Sequence, residues 1–597
     1  MNSQRQLSRV EMLRRRRRER TKRAGVVVVM TGFCLIAVFA FVALSVDASR
    51  MVLTETKMQN ACDAASLAAA QEITSAVNDA GETGGEADLD ANSIAVEAAR
   101  EMAEAVALAN GVYIDPDRDV RFGKRTFNAA TGTWPIAWGA TPYNVVQVTA
   151  RRTDGDVSQP DGQLPLAFGW SVGRSKVPLT TSATAFVEAR DLVMVLDFSG
   201  SMNYDSNLVD SELPQAADVT LLAGMWAALR NADPKWPGTN ISKFPSNGFG
   251  SINSAVGTYV ASTDTATIRS TLGLNANNGD GSRKYPYPQA GRGSNGLPKN
   301  KPSNSTSDAL WNRYIDFVKN HPNANYRKKY GYRTLMDWLQ QKSTNGFTPR
   351  DRVNSEDMWQ TPHYPMEAVK GGTSLFLEFV ENLDFGDEVG LVGYGQWAEQ
   401  ITGLSDGVIS VNVSSDPITP DYSLIDDMQL HHQAGEFNGQ TNIGDGILKG
   451  REMLLGDGSS SGHTRFGSRP TILLMTDGLA NQYPSGWSLP NGFNWAAWTD
   501  YDGDGDADYS SSDQNKRYAF YQATLAAQQG ITIHTLSVGS EADDALMQAI
   551  AYVGGGIFVD VPGGDPVAME ADLLEAFGQI ASKVPPAKLV FELSAGN

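Results

Sequence analysis

Asp191-Leu192-Val193-Met194-Val195-Leu196-Asp197-Phe198-Ser199-Gly200-Ser201-Met202 is the stretch that decides the fold. From Leu192 to Leu196 every side chain is apolar. A run this short, bounded by Asp191 and Asp197, fits a strand buried on both faces, as parallel sheets require. Directly after it, Asp197, Ser199 and Ser201 place three oxygen side chains at alternate positions, with Gly200 allowing a tight turn. Open α/β sheets hold ligands at the carboxyl ends of their strands. A carboxylate and two hydroxyls are hard donors, which suit Mg²⁺ or Mn²⁺. Taken alone, Asp-x-Ser-x-Ser is a weak signal, since a Ser-rich turn capping the next helix looks much the same.

Two later segments give the pattern its weight. Gly439-Gln440-Thr441-Asn442 offers a third hydroxyl in a loop, and the apolar run Thr471–Thr476 ends in Asp477-Gly478. The combination resembles the von Willebrand factor A (vWA) domain and its metal-ion-dependent adhesion site (MIDAS), with Asp197, Ser199, Ser201, Thr441 and Asp477 in the family's order. The resemblance implies direct metal contact by Ser199, Ser201 and Thr441. Asp197 and Asp477 would act mainly through water, and an Asp or Glu of a protein partner would complete the octahedron. Thr373, in Gly371-Gly372-Thr373, competes for the third hydroxyl, but it falls within a helical pattern before the second strand. Thr441 directly precedes the helical pattern Ile443–Leu454 and is preferred.

The implied fold class is α/β: a vWA (Rossmann-like), doubly wound, mainly parallel sheet with helices on both faces. Alternating patterns support it, with helices at Met366–Leu383, Tyr518–Gln529, Ala542–Val553 and Met569–Val584 and strands at Asp387–Gly395, Ile531–Val538 and Gly556–Val561. Between Met202 and the first of these helices lies a large helical insertion, residues 203–362. It has helical patterns at 216–230, 306–320 and 332–342 and a Gly/Asn/Pro/Lys-rich loop over 273–305. Trp226, Trp236, Trp311, Trp338 and Trp359 give it material for its own small core, the alternative being an aromatic binding surface.

The net charge of -19 is unevenly spread. Residues 1–23 form a basic cytoplasmic tail with ten Lys and Arg against two Glu, so the body is strongly acidic. An acidic body repels phosphates, which argues against nucleic acid. Residues 24–46 follow without a single charge. As a helix they would be roughly 34 Å long, enough to cross a bilayer. The Arg cluster in front keeps that flank inside, so a single-pass protein with its bulk extracytoplasmic, in the periplasm or at the cell surface, is expected. The competing reading is a cleaved signal peptide, since Ala43-Leu44-Ser45 is a small-x-small site. With two cysteines, Cys34 and Cys62, there is no disulfide framework.

From Asp47 to Ile73 a helical pattern continues, and Ala61, Ala64, Ala65, Ala68, Ala69 and Ala70 make it narrow enough for close helix packing, on its own domain or on a partner. The basic cluster, the Ala24-Gly25-Val26-Val27-Val28-Val29 start, and Met58-Gln59-Asn60-Ala61-Cys62-Asp63-Ala64-Ala65 resemble the opening of Tad/Flp pilus-assembly proteins of the TadE/TadG-like type. Processed pilin-like relatives carry Glu five residues after the cleavage Gly. Here Met30 stands at that distance from Gly25, which favours an anchored component over a polymerising subunit. After a loop at 75–90 and a helix at Asn92–Asn110, strand patterns at Val120–Phe127, Asn144–Ala150 and Leu179–Val187 suggest an α+β stalk. The expected domains are thus the tail 1–23, the membrane helix 24–46, the TadG-like extension and stalk 47–190, the vWA domain 191–585 and a C-terminal tail 586–597.

A second metal site is expected at Asp500, Asp502, Asp504, Asp506 and Asp508, with Gly505 at the sixth place of a Ca²⁺-binding loop of EF-hand type. Ser511 stands where that loop usually ends in an acid, and Asp513 is the nearest substitute; a solvated acidic turn is the plainer reading. No enzyme is expected: there is no Walker A loop and no His-Glu-x-x-His. Gly458-Ser459-Ser460-Ser461-Gly462 follows a helix rather than a strand, so it is no nucleophile elbow. Gly291-Arg292-Gly293-Ser294-Asn295-Gly296 has no strand before it. His431-His432 reads as a surface pair. Two functions compete. One is capture of a protein ligand through Mg²⁺ in adhesion or pilus assembly, with pilus or secretion-system components as partners. The other is a structural envelope scaffold assembling through its N-terminal helix, with a non-essential metal site.

Overall fold

The structure, a computed structural model, describes residues 3–82, 91–203, 258–285, 287, 303–321, 324, 326–331, 334, 335, 338, 359, 363–405, 409–539, 541–563, 566–583 and 587–590. The helical pattern at 216–230, Trp226, Trp236 and Gly291–Gly296 lie outside these residues.

One helix, α1 (Ser3–Glu82), carries the basic tail, the apolar run and the Ala-rich extension without a break. It reaches past Ile73 into the stretch read as a loop, because no proline interrupts it. Among the described residues it is the one helix long and apolar enough to cross a membrane. Its far end is taken up by its own domain. Met58, Cys62, Ala65, Ala69 and Ile73 are buried with Ala99, Ala103 and Ala107 of α2 (Ala91–Ala109) and with Val146, Val148 and Ala183 of the stalk sheet. Alanines on both helices let the backbones approach closely, so this face is already occupied.

The stalk sheet is antiparallel. Its strands are β1 (Val120–Arg125), β2 (Ile136–Trp138), β3 (Val145–Arg152) and β6 (Leu179–Phe186), with a two-stranded hairpin of β4 (Leu164–Pro165) and β5 (Lys176–Val177) set apart. A last strand, Lys588–Leu589, pairs with Phe186 and Ala185 of β6. Residues 588–589 belong to the segment 586–597 read as a tail, and that reading is corrected here. The chain returns to the stalk after the large domain, so the large domain is joined to the stalk at both ends.

The second sheet has six strands. In chain order they are β7 (Arg190–Asp197), β8 (Glu388–Tyr394), β9 (Ala398–Gln400), β10 (Arg469–Thr476), β11 (Thr532–Val538) and β12 (Gly555–Val561). Their spatial order is β9-β8-β7-β10-β11-β12, parallel except for the edge strand β9. β7 is buried at all eight positions. Leu192, Met194 and Leu196 point to one face, against α3 (Met366–Leu383), α4 (Tyr422–Leu430) and α7 (Pro566–Ser582). Val193 and Val195 point to the other, against α5 (Ile443–Leu455), the helix Gln514–Gln528 and α6 (Asp544–Val553). An apolar run without alternation is what two covered faces demand.

The described part of the insertion has its own core. Trp311 is fully buried on the helix Asn304–Lys319, edge-on to Tyr287 and Tyr314, and the Trp338 indole donates to Tyr287 Oη at 2.9 Å. Thr334, Leu335 and Trp338 of the 332–342 pattern are helical. Trp359 is not part of that core. Its ring stacks on His431 with centroids 3.8 Å apart.

At its amino end β7 is pinned by charge. Arg190 is 1% exposed and its guanidinium donates to Asp387 at 2.6 and 2.8 Å and to the Ala581 carbonyl at 3.0 Å. Asp191 is fully buried and accepts from Arg465 Nε at 2.7 Å, Arg465 Nη2 at 2.5 Å and Ser468 Oγ at 2.5 Å. Arg465 also reaches Glu388 at 2.9 Å and lies over the Trp134 ring of the stalk, 5.2 Å from its centroid. The Trp134 indole in turn donates to the Phe466 carbonyl at 2.8 Å. Burial pushes the Asp191 carboxyl above its ordinary range, and Arg465 is the strongest opposing influence. Replacing Arg465 with Met should therefore leave a buried carboxylate without its counter-charge. The expected loss is about 3–5 kcal/mol of unfolding free energy, read by denaturant titration of the purified full chain. A loss below about 1 kcal/mol would show that the pair does not pin the amino end of β7.

Candidate metal centre

The strand order, numbered within this sheet, is 3-2-1-4-5-6, so it reverses between β7 and β10. Loops leaving the carboxyl ends of two strands flanking such a reversal diverge and open a crevice. Both carboxylates of the five-residue constellation come from those two strands: Asp197 ends β7, and Asp477 follows β10.

The turn after β7 is built by Asp197 itself. Its Oδ1 accepts the Ser199 backbone N–H at 2.8 Å, and its Oδ2 accepts the Thr476 hydroxyl from β10 at 2.8 Å. A 3₁₀ turn, Gly200–Asn203, follows. Ser199 Oγ and Ser201 Oγ are 2.9 Å apart, and Ser201 Oγ donates to Asp477 Oδ1 at 2.6 Å. Thr441 arrives from the loop before α5. A β-carbon placed on Gly478 would lie 3.1 Å from Ser201 Oγ and 3.6 Å from Thr441 Oγ1, so both hydroxyls face one point above that glycine. The Thr441 loop comes equally close to the β7 turn, because a β-carbon on Gly200 would sit 3.2 Å from the Gly439 α-carbon. The structure thus brings Asp197, Ser199, Ser201, Thr441 and Asp477 together. Thr373 is buried inside α3.

Asp197 and Ser199 are fully buried, Thr441 and Asp477 nearly so, and Ser201 is half-buried on the open side. Burial raises the Asp197 carboxyl to about 6, against hydrogen bonds from Ser199, Thr476 and Tyr394. Those opposing groups are all neutral. At the other end of the same strand Asp191 has a guanidinium. A buried carboxylate backed only by neutral donors, with hydroxyls beside it, is a donor set that fits a small divalent cation.

Several supporting residues were not singled out in the sequence. Thr476 fixes Asp197, and its position one residue before Asp477 was the available signal. Asn481 holds the Thr441 loop, accepting the Thr441 N–H at 2.7 Å and donating its own N–H to the Thr441 carbonyl at 3.0 Å. The 431–438 segment braces the metal turn from behind, with the Gly435 N–H within 3.0 Å of the Phe198 carbonyl and 3.1 Å of the Ser199 carbonyl. The surface reading of His431-His432 is corrected: both are buried. His432 stacks on Phe198 with centroids 4.8 Å apart and its Nδ1 lies 3.0 Å from Glu436 Oε2. The far end of the insertion is attached here too, since the Trp359 N–H donates to Gln433 Oε1 at 3.0 Å and Lys370 Nζ to the Trp359 carbonyl at 3.0 Å.

In the acidic loop, Asp500, Asp502 and Asp504 bring one carboxylate oxygen each within 4.8 Å of one another. Asp506 and Asp508 stand outside that trio. Asp508 Oδ2 accepts the Tyr501 N–H at 2.5 Å, and Asp513 caps the helix Gln514–Gln528. Gly503 and Gly505 have φ of 78° and 94°, the left-handed region that such a tight loop requires. The Gly458–Gly462 run is a surface turn in which Asp457 Oδ1 accepts from Ser459 and Ser460, not an elbow.

Thr476→Val keeps the shape of a fully buried side chain while removing the hydroxyl that fixes Asp197. Its expected effect is a drop of about 10- to 100-fold in divalent-cation affinity by calorimetry, with the fold retained by circular dichroism. Unchanged affinity would show that Asp197 does not serve the ion.

Residues 25–72 match the Tad family model, described as Flp pilus-assembly TadE/G-like, and residues 68–185 match Tad_C, described as Tad-like Flp pilus-assembly. No curated protein sequence matches the chain. Among solved structures it is similar to proximal thread matrix protein 1 of the mussel byssus, at 14% identity and a TM-score of 0.24, over 36% of this chain and 43% of that one. It is similar to a von Willebrand factor type A protein from Catenulispora acidiphila, at 11% identity and a TM-score of 0.21, over 36% of this chain and 38% of that one. It is also similar to the PilB minor pilin from Streptococcus sanguinis, at 11% identity and a TM-score of 0.27, over 78% of this chain and 88% of that one. The chain thus spans less than half the length of the first two. Residues 25–185 thus match models of Flp pilus-assembly proteins, and behind them comes a domain built on the six-stranded, mainly parallel sheet.

Proposed function

We propose that this is a membrane-anchored protein whose extracytoplasmic vWA-type domain captures a protein partner through a Mg²⁺-dependent adhesion site, in adhesion or Tad/Flp-type pilus assembly. The observation that carries the reading is the meeting of Ser199, Ser201, Thr441 and Asp477 beside a buried Asp197 backed only by neutral donors. Ser199, Ser201 and Thr441 would hold Mg²⁺ or Mn²⁺ directly, with Asp197 and Asp477 acting mainly through water. The bound ion supplies an electrophilic position that favours a carboxylate from the partner. The protein's part is to hold the hydroxyls in place, keep Asp197 buried beside them and leave Ser201 at the open side. These are features of recognition rather than turnover. Anchoring is supported by the long apolar helix and by the Tad matches. Of the N-terminal helix through which the scaffold alternative would assemble, the Ala-rich end is covered by α2 and the stalk sheet.

The test is a pull-down of the full chain in detergent with and without Mg²⁺, read by mass spectrometry. EDTA and Ser201→Ala should each reduce capture of an acidic-motif protein at least about tenfold, as loss of a metal ligand would. Capture that survives both would reject the reading in favour of the scaffold.

We further infer that the 500–508 loop holds a structural Ca²⁺ through Asp500, Asp502 and Asp504, because three converging carboxylates repel one another without a cation. Calorimetry on the Asp502→Ala/Asp504→Ala variant should show one fewer Ca²⁺ site. An unchanged stoichiometry would leave a solvated acidic turn.

A further inference from the structure

Asp47 is the first charged residue after the apolar run of α1. A carboxylate at the edge of a hydrocarbon layer is costly unless its oxygens are satisfied and shielded. Leu44 and Val46 beside it are exposed, yet Asp47 is only 5% exposed. The cover is a loop 120 residues further along the chain: Asp47 Oδ1 accepts the Ala167 N–H at 2.7 Å, and Oδ2 accepts the Phe168 N–H at 2.9 Å.

That loop is the tip of the β4–β5 hairpin. It is a single 3₁₀ turn, Gly169–Val172, closed by the Arg174 N–H on the Gly169 carbonyl at 2.9 Å, with Gly173 at φ 76°. Folding a hairpin tip back onto a helix end usually hides its apolar side chains. Here Trp170 is left 70% exposed and Phe168 41% exposed, with the Arg174 side chain exposed beside them. On α1, Arg50, Val52 and Leu53 are also exposed within two turns of Asp47. Aromatic rings, short apolar side chains and arginines gathered around the end of a membrane-length helix are the composition of a bilayer interface, where rings with a polar edge settle at headgroup level.

We propose that the 166–174 loop is a membrane foot. Trp170 and Phe168 lie in the headgroup zone of the bilayer that α1 crosses, with Arg174 and Arg50 at the lipid phosphates. Asp47 is the clasp that ties this foot to the helix as it leaves the membrane. The stalk then stands on the bilayer at two points, the helix and the foot, which fixes its tilt and height and so the direction in which the vWA-type domain presents its metal site. The inference rests on the reading that α1 spans a membrane.

The full chain is reconstituted in vesicles, half of them made with lipids brominated near the top of the acyl chain, and tryptophan fluorescence is compared with the Trp170→Phe variant. Trp170 is one of twelve tryptophans. The expected result is a bromolipid-quenched component in the wild type that Trp170→Phe removes, with both proteins resisting carbonate extraction. Equal quenching in the two, with both still resisting extraction, overturns the foot while leaving the anchor intact. Release of both by carbonate overturns the anchor and the foot together. A second variant, Asp47→Ala, guards against a local effect of the ring change: it should diminish the same quenched component by freeing the loop, and an unaltered component would reject Asp47 as the clasp.

Discussion

The structure depends on burying one strand that is charged at both ends. β7 has no exposed position, and its central residues serve two hydrophobic cores at once. Its terminal carboxylates must therefore be satisfied inside the protein. At the amino end this is done with permanent charge: Arg465 on Asp191, and the neighbouring Arg190 on Asp387. At the carboxyl end Asp197 has a backbone N–H and hydroxyls instead, and burial pushes its carboxyl up to about 6. The same strand thus has one end paired with guanidinium groups and one end held by neutral donors.

The two ends are also connected mechanically. Arg465 carries the stalk's Trp134 on its outer face, so the ion pairs that pin β7 also seat the large domain on the stalk. The final strand returns to β6, closing the junction with a second covalent crossing. At the other end, the 431–438 segment holds the metal turn through Gly435 and Phe198, and Trp359 links that segment to the insertion.

Much of the fold was legible in the sequence because burial on both faces leaves unbroken apolar runs. β7 and β10 contain such runs, at residues 192–196 and 472–475, and α3 has bounds identical to the pattern read from its periodicity. The stalk strands were readable by alternation, since one face carries α1 and the other does not. The two-residue strand at Lys588–Leu589 was not, because two residues have no periodicity and its place is decided by the open edge of β6. The burial of His431 and His432 was equally hidden. His432 is buried against the Phe198 ring and the Glu436 carboxylate, and Phe198 lies more than two hundred residues earlier in the chain.

The sequence by itself determined which side chains are able to hold a divalent ion: hydroxyls and carboxylates at fixed short spacings after apolar runs are a local property. It also determined the membrane-length helix, which needs only a run of uncharged residues. Only the tertiary structure decided that Ser201 and Asp477, separated by 276 positions, meet at 2.6 Å, that Thr476 steadies Asp197, and that Asp47 is clasped by the 166–174 loop. Those contacts follow from where the strand order reverses and from which hairpin reaches down to the helix. Sheet order and hairpin placement are set by how whole layers pack, which no short stretch of chain encodes.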